Sequence, residues 1–376
     1  MRRFFFNIFL MFAFISGAFV LTGKSPVQAQ DTRTSLQQQA GQMIICGFRG
    51  LRLTQDDPLR QAIARGLCGG VILFDRDVLE KSNRRNIQSK DQVRSLTREL
   101  QALSPVPLLI AVDQEGGRVA RLKSSHGFPA FPSAAALGAQ KDLKATFKQA
   151  ALMGRSLADV GITCNLAPVV DVNTNPDNPA IGRLDRSFSA DHRQVGIQAA
   201  AFIRGLHQAN ILTCIKHFPG HGSAFNDSHL GMTDITQTWS RQELLPYRHL
   251  IRSGLCDMVM TGHLVHRQVD PHHPASLSRA WTQGVLRREM GFSKVVITDD
   301  LQMKAVTDHY TLRQTIALAI QAGADILLFG NNLRFDPHMA SKATSIITDL
   351  VQQGRISKDR IHASYTRIMQ LKKNHS

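Results

Sequence analysis

Seven short apolar runs recur along the chain at irregular intervals of about 40 residues, each followed by a longer amphipathic stretch, and this alternation constrains the fold more than any other feature. Buried parallel strands need long crossover connections, which helices supply. The runs are 69–74 (GGVILF), 107–113 (PLLIAVD), 163–172 (TCNLAPVVDV), 211–217 (ILTCIKH), 258–264 (MVMTGHL), 295–300 (VVITDD) and 325–330 (DILLFG). An eighth, 43–48 (MIICGF), fits a strand, although Leu36, Ala40, Met43 and Ile44 also fit helical spacing. Helical patterning covers about 91–103, 140–160, 191–209, 241–253, 279–290, 311–322, 336–353 and 357–373. Seven or eight parallel strands with helices between them favour an α/β fold of the single (β/α)8 TIM-type barrel over an open doubly wound sheet. No GxGxxG follows any strand to suggest dinucleotide binding. No Pro/Ser-rich linker interrupts residues 31–376, which read as one domain.

The first thirty residues stand apart. Arg2-Arg3 precede an apolar run from Phe4 to Leu21, and Val27-Gln28-Ala29 has the small-residue layout of a cleavage site. Residues 1–29 are therefore expected to be an export signal, which makes the protein periplasmic or secreted. The rival reading keeps 4–21 as an uncleaved membrane tether, since its 18 residues sit at the lower edge of what spans a hydrocarbon core of roughly 30 Å. The net charge is +16, and removing Arg2, Arg3 and Lys24 with the signal leaves +13. Such a field points to an anionic partner. The five Cys, at 46, 68, 164, 214 and 256, lie in apolar or Gly-rich contexts without a CxxC, so buried free thiols are expected rather than a disulfide framework.

In a barrel of this type the chemistry sits at the C-terminal ends of the strands. Here those ends carry Asp113, Glu115, Arg118 and Arg121; Asp171; Lys216, His217 and His221; His263; and Asp299 with Asp300. His217 and His221 have the i,i+4 spacing of a metal pair, but Pro219 and Gly220 between them break the helix such ligation needs, so no metal is expected. The polar stretch 222–229 reads as a loop over the site. Within it Asp227 lies two residues from His229, close enough to orient the imidazole. A Glu115–Arg118 ion pair would support the first loop, and Asp300 reads as a structural carboxylate.

Five ordered motifs now bear on identity: DQEGGRVARL at 113–122, NPAIGRLDRSF at 178–188, KHFPGHG at 216–222, DSH at 227–229 and ITDDLQM at 297–303. In these the chain resembles the glycoside hydrolase family 3 β-N-acetylhexosaminidases of the single-domain, NagZ-like kind, over roughly residues 36–330. The resemblance implies a retaining mechanism with Asp299 as nucleophile and His229, supported by Asp227, as acid/base. It assigns sugar binding to Asp113, Arg121, Arg186, Lys216 and His217, with no metal and no cofactor. The expected partner is a small glycan or muropeptide carrying terminal β-linked N-acetylglucosamine, not nucleic acid, and the expected state is a monomer. An imidazole that titrates near neutrality can both protonate a leaving oxygen and deprotonate water. Pairing it with one ionised Asp avoids two carboxylates in one pocket, where one would be driven neutral.

Two departures from the family stand out. Arg183-Leu184-Asp185 precede Arg186 as an insertion, which lengthens that loop. Only about two helices follow residue 330, so the pocket is expected to be self-contained, with the 218–231 loop as its movable wall. A β-N-acetylglucosaminide phosphorylase is the alternative activity, because a neutral imidazole tolerates a phosphate acceptor. A non-catalytic glycan-binding barrel is the other rival, disfavoured by the intact Asp299 and the Asp227/His229 pair.

Overall fold

A computed structural model describes residues 34–227 and 231–373. The expected export signal or tether, and His229 of the expected dyad, lie outside the described residues.

Every apolar run that reads as a strand is one. The eight are β1 (Ile44–Gly47), β2 (Gly70–Leu73), β3 (Leu109–Val112), β4 (Cys164–Asn165), β5 (Leu212–Phe218), β6 (Met258–Thr261), β7 (Val295–Thr298) and β8 (Leu327–Phe329). They pair in parallel in the order β7-β6-β5-β4-β3-β2-β1-β8. The β7–β8 seam is closed by one bridge, Ile297 to Ile326, in which the Thr298 N–H donates to Ile326 O at 3.0 Å and the Ile326 N–H to Val296 O at 3.0 Å. The result is an eight-stranded TIM-type barrel. Every residue of these strands is buried, because the inner side chains fill the barrel and the outer ones meet helices.

The 43–48 ambiguity resolves into both readings. Residues Leu36–Gln42 form α1, closed at its start by a Ser35–Gln38 capping box, and β1 begins two residues beyond its end. The longest expected strand, 163–172, contributes only two residues to the ladder. Beyond Asn165 the chain turns inward at Ala167-Pro168 and rejoins β5 through a single Val169–Lys216 bridge. A Pro lacks the N–H that a central strand needs.

Helices follow each strand: α2 (Pro58–Ala64), α3 (Lys90–Leu103), α4 (Ala134–Gln140) and α5 (Leu143–Ala158), α6 (His192–His207), α7 (Leu245–Arg252), a wide helix over Ala280–Glu289, α8 (Lys304–Thr307) and α9 (Leu312–Ala322), then α10 (Met339–Gln352) and α11 (Lys358–Lys373). The expected 140–160 helix is α5, which starts three residues later than expected because Lys141, with a φ of 51°, ends α4 and Asp142 caps the start of α5. Short α2 carries too few apolar positions to register as periodic. Its start is nonetheless written locally, as Asp57 at the N-cap and Pro58 in the first turn.

The lower, N-terminal end of the barrel is locked by Asp325. This fully buried carboxylate takes Arg287 Nη2 at 2.7 Å, Arg367 Nη1 at 3.2 Å, Ser364 Oγ at 2.6 Å and the Val296 N–H at 3.1 Å. Arg360 and Arg367 belong to α11, which therefore lies across the barrel floor. All five thiols are buried and free.

Candidate active site

The opposite, C-terminal end holds a cavity of about 330 Å³ lined by residues from the ends of β2, β3, β5, β7 and β8. Asp113 and Asp299 extend β3 and β7, which stand four places apart in an eight-strand ring, so the two carboxylates face the cavity from opposite sides.

On the β3/β5 side the charged groups form one continuous cluster. Lys216 Nζ donates to Asp113 Oδ1 at 2.6 Å and lies 2.8 Å from Glu115 Oε1. Arg186 holds Glu115 in a two-point clasp, Nε to Oε2 and Nη2 to Oε1, both 2.8 Å, and Nη1 donates to Ala180 O at 2.8 Å. Arg121 Nη2 lies 3.5 Å from Asp113 Oδ2. Burial would raise the Glu115 carboxyl, but Arg186 and Lys216 outweigh it and hold it well below the usual carboxylate range. Asp113 likewise is lowered against its burial by Lys216 and Arg121. Lys216 and Arg186 are raised against their own burial by the same carboxylates, so all four stay charged. An ammonium has three donors, and two of the Lys216 donors are taken by Asp113 and Glu115, which leaves the third for a ligand oxygen.

This corrects the expected Glu115–Arg118 pair. Arg118 is exposed and donates to Arg183 O at 3.1 Å, while Glu115 is the buried hinge between Arg186 and Lys216. The longer 183–185 loop is what delivers Arg186: Gly182–Leu184 forms one tight turn, Asp185 adopts a left-handed φ of 58°, and the next residue points into the cavity.

His217 also lines the cavity, but its ring is occupied. Nδ1 lies 2.7 Å from Asp171 Oδ2 and Nε2 lies 3.3 Å from Arg186 Nη2. Asp171 is fully buried beneath the cavity, and its Oδ1 accepts the backbone N–H groups of His217 at 3.1 Å and His221 at 2.8 Å. His263, equally buried, packs under the β7 loop, with Nε2 2.9 Å from Asp300 O and Nδ1 2.7 Å from Ser276 Oγ.

Asp299 is half-buried at the cavity wall, with its backbone tied to Thr261 O at 2.9 Å and its Oδ1 accepting the Asp300 N–H at 2.8 Å. Asp300 behaves as expected of a structural group: its Oδ1 accepts the N–H groups of Gln302 at 3.0 Å and Gly330 at 2.9 Å, stapling the β7 loop to the β8 loop.

The loop after β5 is anchored further than expected. Asn178 Nδ2 donates to His221 O at 2.7 Å and Asn175 Nδ2 to Ala224 O at 2.9 Å, while Ala224 packs against Ile235 and Leu264. Gly222 presses so close to Val172 O that an added Cβ would sit 1.7 Å from it. A wall over 218–231 therefore has a fixed stem through Ala224, and a second fixed point where Thr233–Asp234 pairs with Leu264–Val265. Phe225 is 71% exposed and Asp227 half-buried on the stretch between them.

Residues 35–371 match the profile described as "Glycosyl hydrolase family 3 N terminal domain". The chain belongs to glycosyl hydrolase family 3. This family 3 barrel is 37% identical over 298 residues to a "Beta-hexosaminidase" of Idiomarina loihiensis, covering 77% of this chain and 84% of the relative. It is 32% identical to "Beta-hexosaminidase A" of Pseudoalteromonas piscicida over 86% of this chain, but spans only 56% of that longer protein. Among solved structures, a β-N-acetylhexosaminidase from Beutenbergia cavernae superposes with a TM-score of 0.81 at 30% identity, covering 91% of this chain and 99% of that one. A family 3 β-N-acetylglucosaminidase from Paenibacillus sp. gives a TM-score of 0.83 at 36% identity, and the family 3 barrel covers 63% of its length.

The sequence motifs thus locate Asp113, Arg121, Arg186, Lys216, His217 and Asp299 in one cavity. They miss Asp75 and Asn332, which also line it, because neither falls within one of the five motifs, although Asp75 stands just past the end of the 69–74 run. Among the described residues no helix is long and apolar enough to cross a membrane.

Proposed function

We propose that this family 3 barrel is a retaining exo-β-N-acetylglucosaminidase, exported to act on peptidoglycan-derived or related glycans. Asp299 is the nucleophile, and His229 on the loop after β5, oriented by Asp227, is the proton donor and then the base. The observation that carries the reading is the arrangement across the cavity: one half-buried carboxylate at the end of β7 opposite a fixed donor–acceptor cluster of Lys216, Asp113, Glu115 and Arg186. Such a cluster has the donors and acceptors to grip sugar hydroxyls and an acetamido group, with Asp299 across the cavity where C1 would lie. The volume lies at the small end of the roughly 300–1,000 Å³ range of ligand pockets, which suits one terminal sugar better than an internal stretch of glycan. Relatives named as hexosaminidases along most of this chain support the substrate class.

The retaining sequence balances without a cofactor. The Asp299 oxygen bonds to C1 as the imidazolium gives its proton to the departing oxygen, and water then displaces the Asp299 ester while the neutral imidazole takes its proton. The test is turnover of a chromogenic β-N-acetylglucosaminide by wild type and Asp299→Asn, with loss of about 10³-fold or more expected. Comparable turnover in the variant, or an inverted product anomer, overturns the assignment.

A further inference from the structure

The sequence carries a large positive charge that the cavity does not use, and the structure gathers part of it on one face. At the C-terminal ends of the barrel helices, all pointing to the barrel floor, stand Arg65, Arg155, Arg204, Arg252, Arg288 and Arg355, each exposed. Among the described residues no ion pair joins a carboxylate to any of the six, and the exposed acids at this end include Asp159, Glu289, which is paired with Arg241 and Arg248, and Asp359. Helix dipoles favour a cation at each such end. They do not explain why so few acids balance the ring.

Two further features share this floor. The loop between α3 and β3 ends in Pro105-Val106-Pro107, with both prolines exposed and Val106 half-buried, an apolar knuckle beside the cations. The chain also enters the fold here: Gly41 of α1 packs on Gly66 and Leu67, and Gln42 Oε1 lies 2.7 Å from Lys372 Nζ at the end of the floor helix α11. Upstream of α1, the apolar run 4–21 is separated from Ser35 by residues 22–34 alone.

We propose that the barrel floor docks on an anionic phospholipid bilayer, with the catalytic cavity facing away from it. The cations meet lipid phosphates and the Pro105–Pro107 knuckle enters the interface. An anionic wall polymer would use the cations but has no use for the knuckle, so the bilayer is the favoured occupant. The inference does not depend on the sugar specificity proposed above.

The test uses the full chain and sedimentation with vesicles of phosphatidylcholine alone or with 30% phosphatidylglycerol, the latter proportion being a choice of probe of roughly physiological surface charge. Wild type should bind the anionic vesicles more tightly, and this preference should vanish near 1 M salt, where the screening length falls to about 3 Å. The variant Arg155→Glu/Arg204→Glu/Arg252→Glu should lose about 100-fold of the anionic preference, while Lys144→Glu/Arg193→Glu, at the opposite ends of α5 and α6, retains it. Val106→Ser should weaken vesicle binding at unchanged salt dependence. Equal binding of wild type to both vesicle types overturns the proposal whether or not the triple variant folds. So does a triple variant that loses binding to isolated anionic wall polymer but keeps its vesicle preference.

Discussion

Asp171 grips His217 at two points, its Oδ1 accepting the backbone N–H at 3.1 Å and its Oδ2 meeting Nδ1 at 2.7 Å. The carboxyl is held below its ordinary value, against burial, by His217 and then His221, so it is an acceptor only. Nδ1 must therefore carry the proton. Arg186 Nη2, 3.3 Å from Nε2, can only donate, so Nε2 must accept and the imidazole is the neutral Nδ1–H tautomer. His217 thus serves the site by fixing Arg186, and Arg186 in turn fixes Glu115.

The first prediction follows from that chain of contacts. In Asp171→Asn the amide oxygen keeps the two backbone hydrogen bonds, but the amide nitrogen now faces Nδ1 and forces the other tautomer, setting Nε2–H against the Arg186 donor. We expect kcat/KM to fall about 10–100-fold, the range seen when an outer partner that orients an imidazole is lost. Nitrogen-15 shifts of His217 should report the tautomer change. Unchanged shifts together with unchanged kinetics reject the relay.

Removing the cation at the centre of the cluster should be worse for folding than for shape. Lys216→Met leaves Asp113 and Glu115 buried with one counter-charge fewer. The expected destabilisation is about 3–5 kcal/mol, read from denaturant unfolding, because an uncompensated buried charge is costly.

The floor offers a parallel case away from catalysis. Asp325→Asn strips the charge that Arg287, Arg360 and Arg367 share. A loss of about 3–5 kcal/mol with KM unchanged is expected. A raised KM would show that the floor reaches the cavity.

Two buried groups, Glu243 and His221, give opposite contributions to the pH dependence of stability. Burial raises Glu243, packed behind Gly220, to about 8. A group whose folded pKa is raised stabilises fully below its unfolded value and loses that contribution as pH rises through about 8. Burial lowers His221 to about 4, so its contribution is lost as pH falls from about 6.5 toward 4. Glu243→Gln should flatten the alkaline limb of a Tm-against-pH curve between about 5 and 8 and leave the acid limb alone. A variant curve parallel to wild type would remove Glu243 as the cause.

Gly222→Ala tests the loop stem, since its Cβ would lie 1.7 Å from Val172 O. The stem must shift, and if the proposed donor His229 on the loop beyond it acts as the acid, activity should drop more on substrates with poor leaving groups than on activated phenols. Equal losses on both would separate the stem from the donor.

Much of this was written in local sequence. The barrel strands are legible because a buried parallel strand must be apolar on both faces, and only β4 misleads, where Pro168 ends a run that hydrophobicity alone extends to Val172. The cavity residues are legible because they sit at strand ends in charged motifs. The partner of Glu115 was not, since Arg118 is three residues away in sequence, whereas Arg186 is brought to it by a left-handed turn at Asp185 that no spacing rule reveals. The anchoring of the loop by Asn175 and Asn178 depends on tertiary approach in the same way.

The β7–β8 seam has one ladder bridge and is otherwise joined by contacts such as the Asp300 staple and the Leu301 N–H to Leu328 O bond at 3.0 Å. A split between these strands would divide the gene into two fragments able to reassociate, and because Asp299 sits beside the cut, recovered turnover would report reassembly directly.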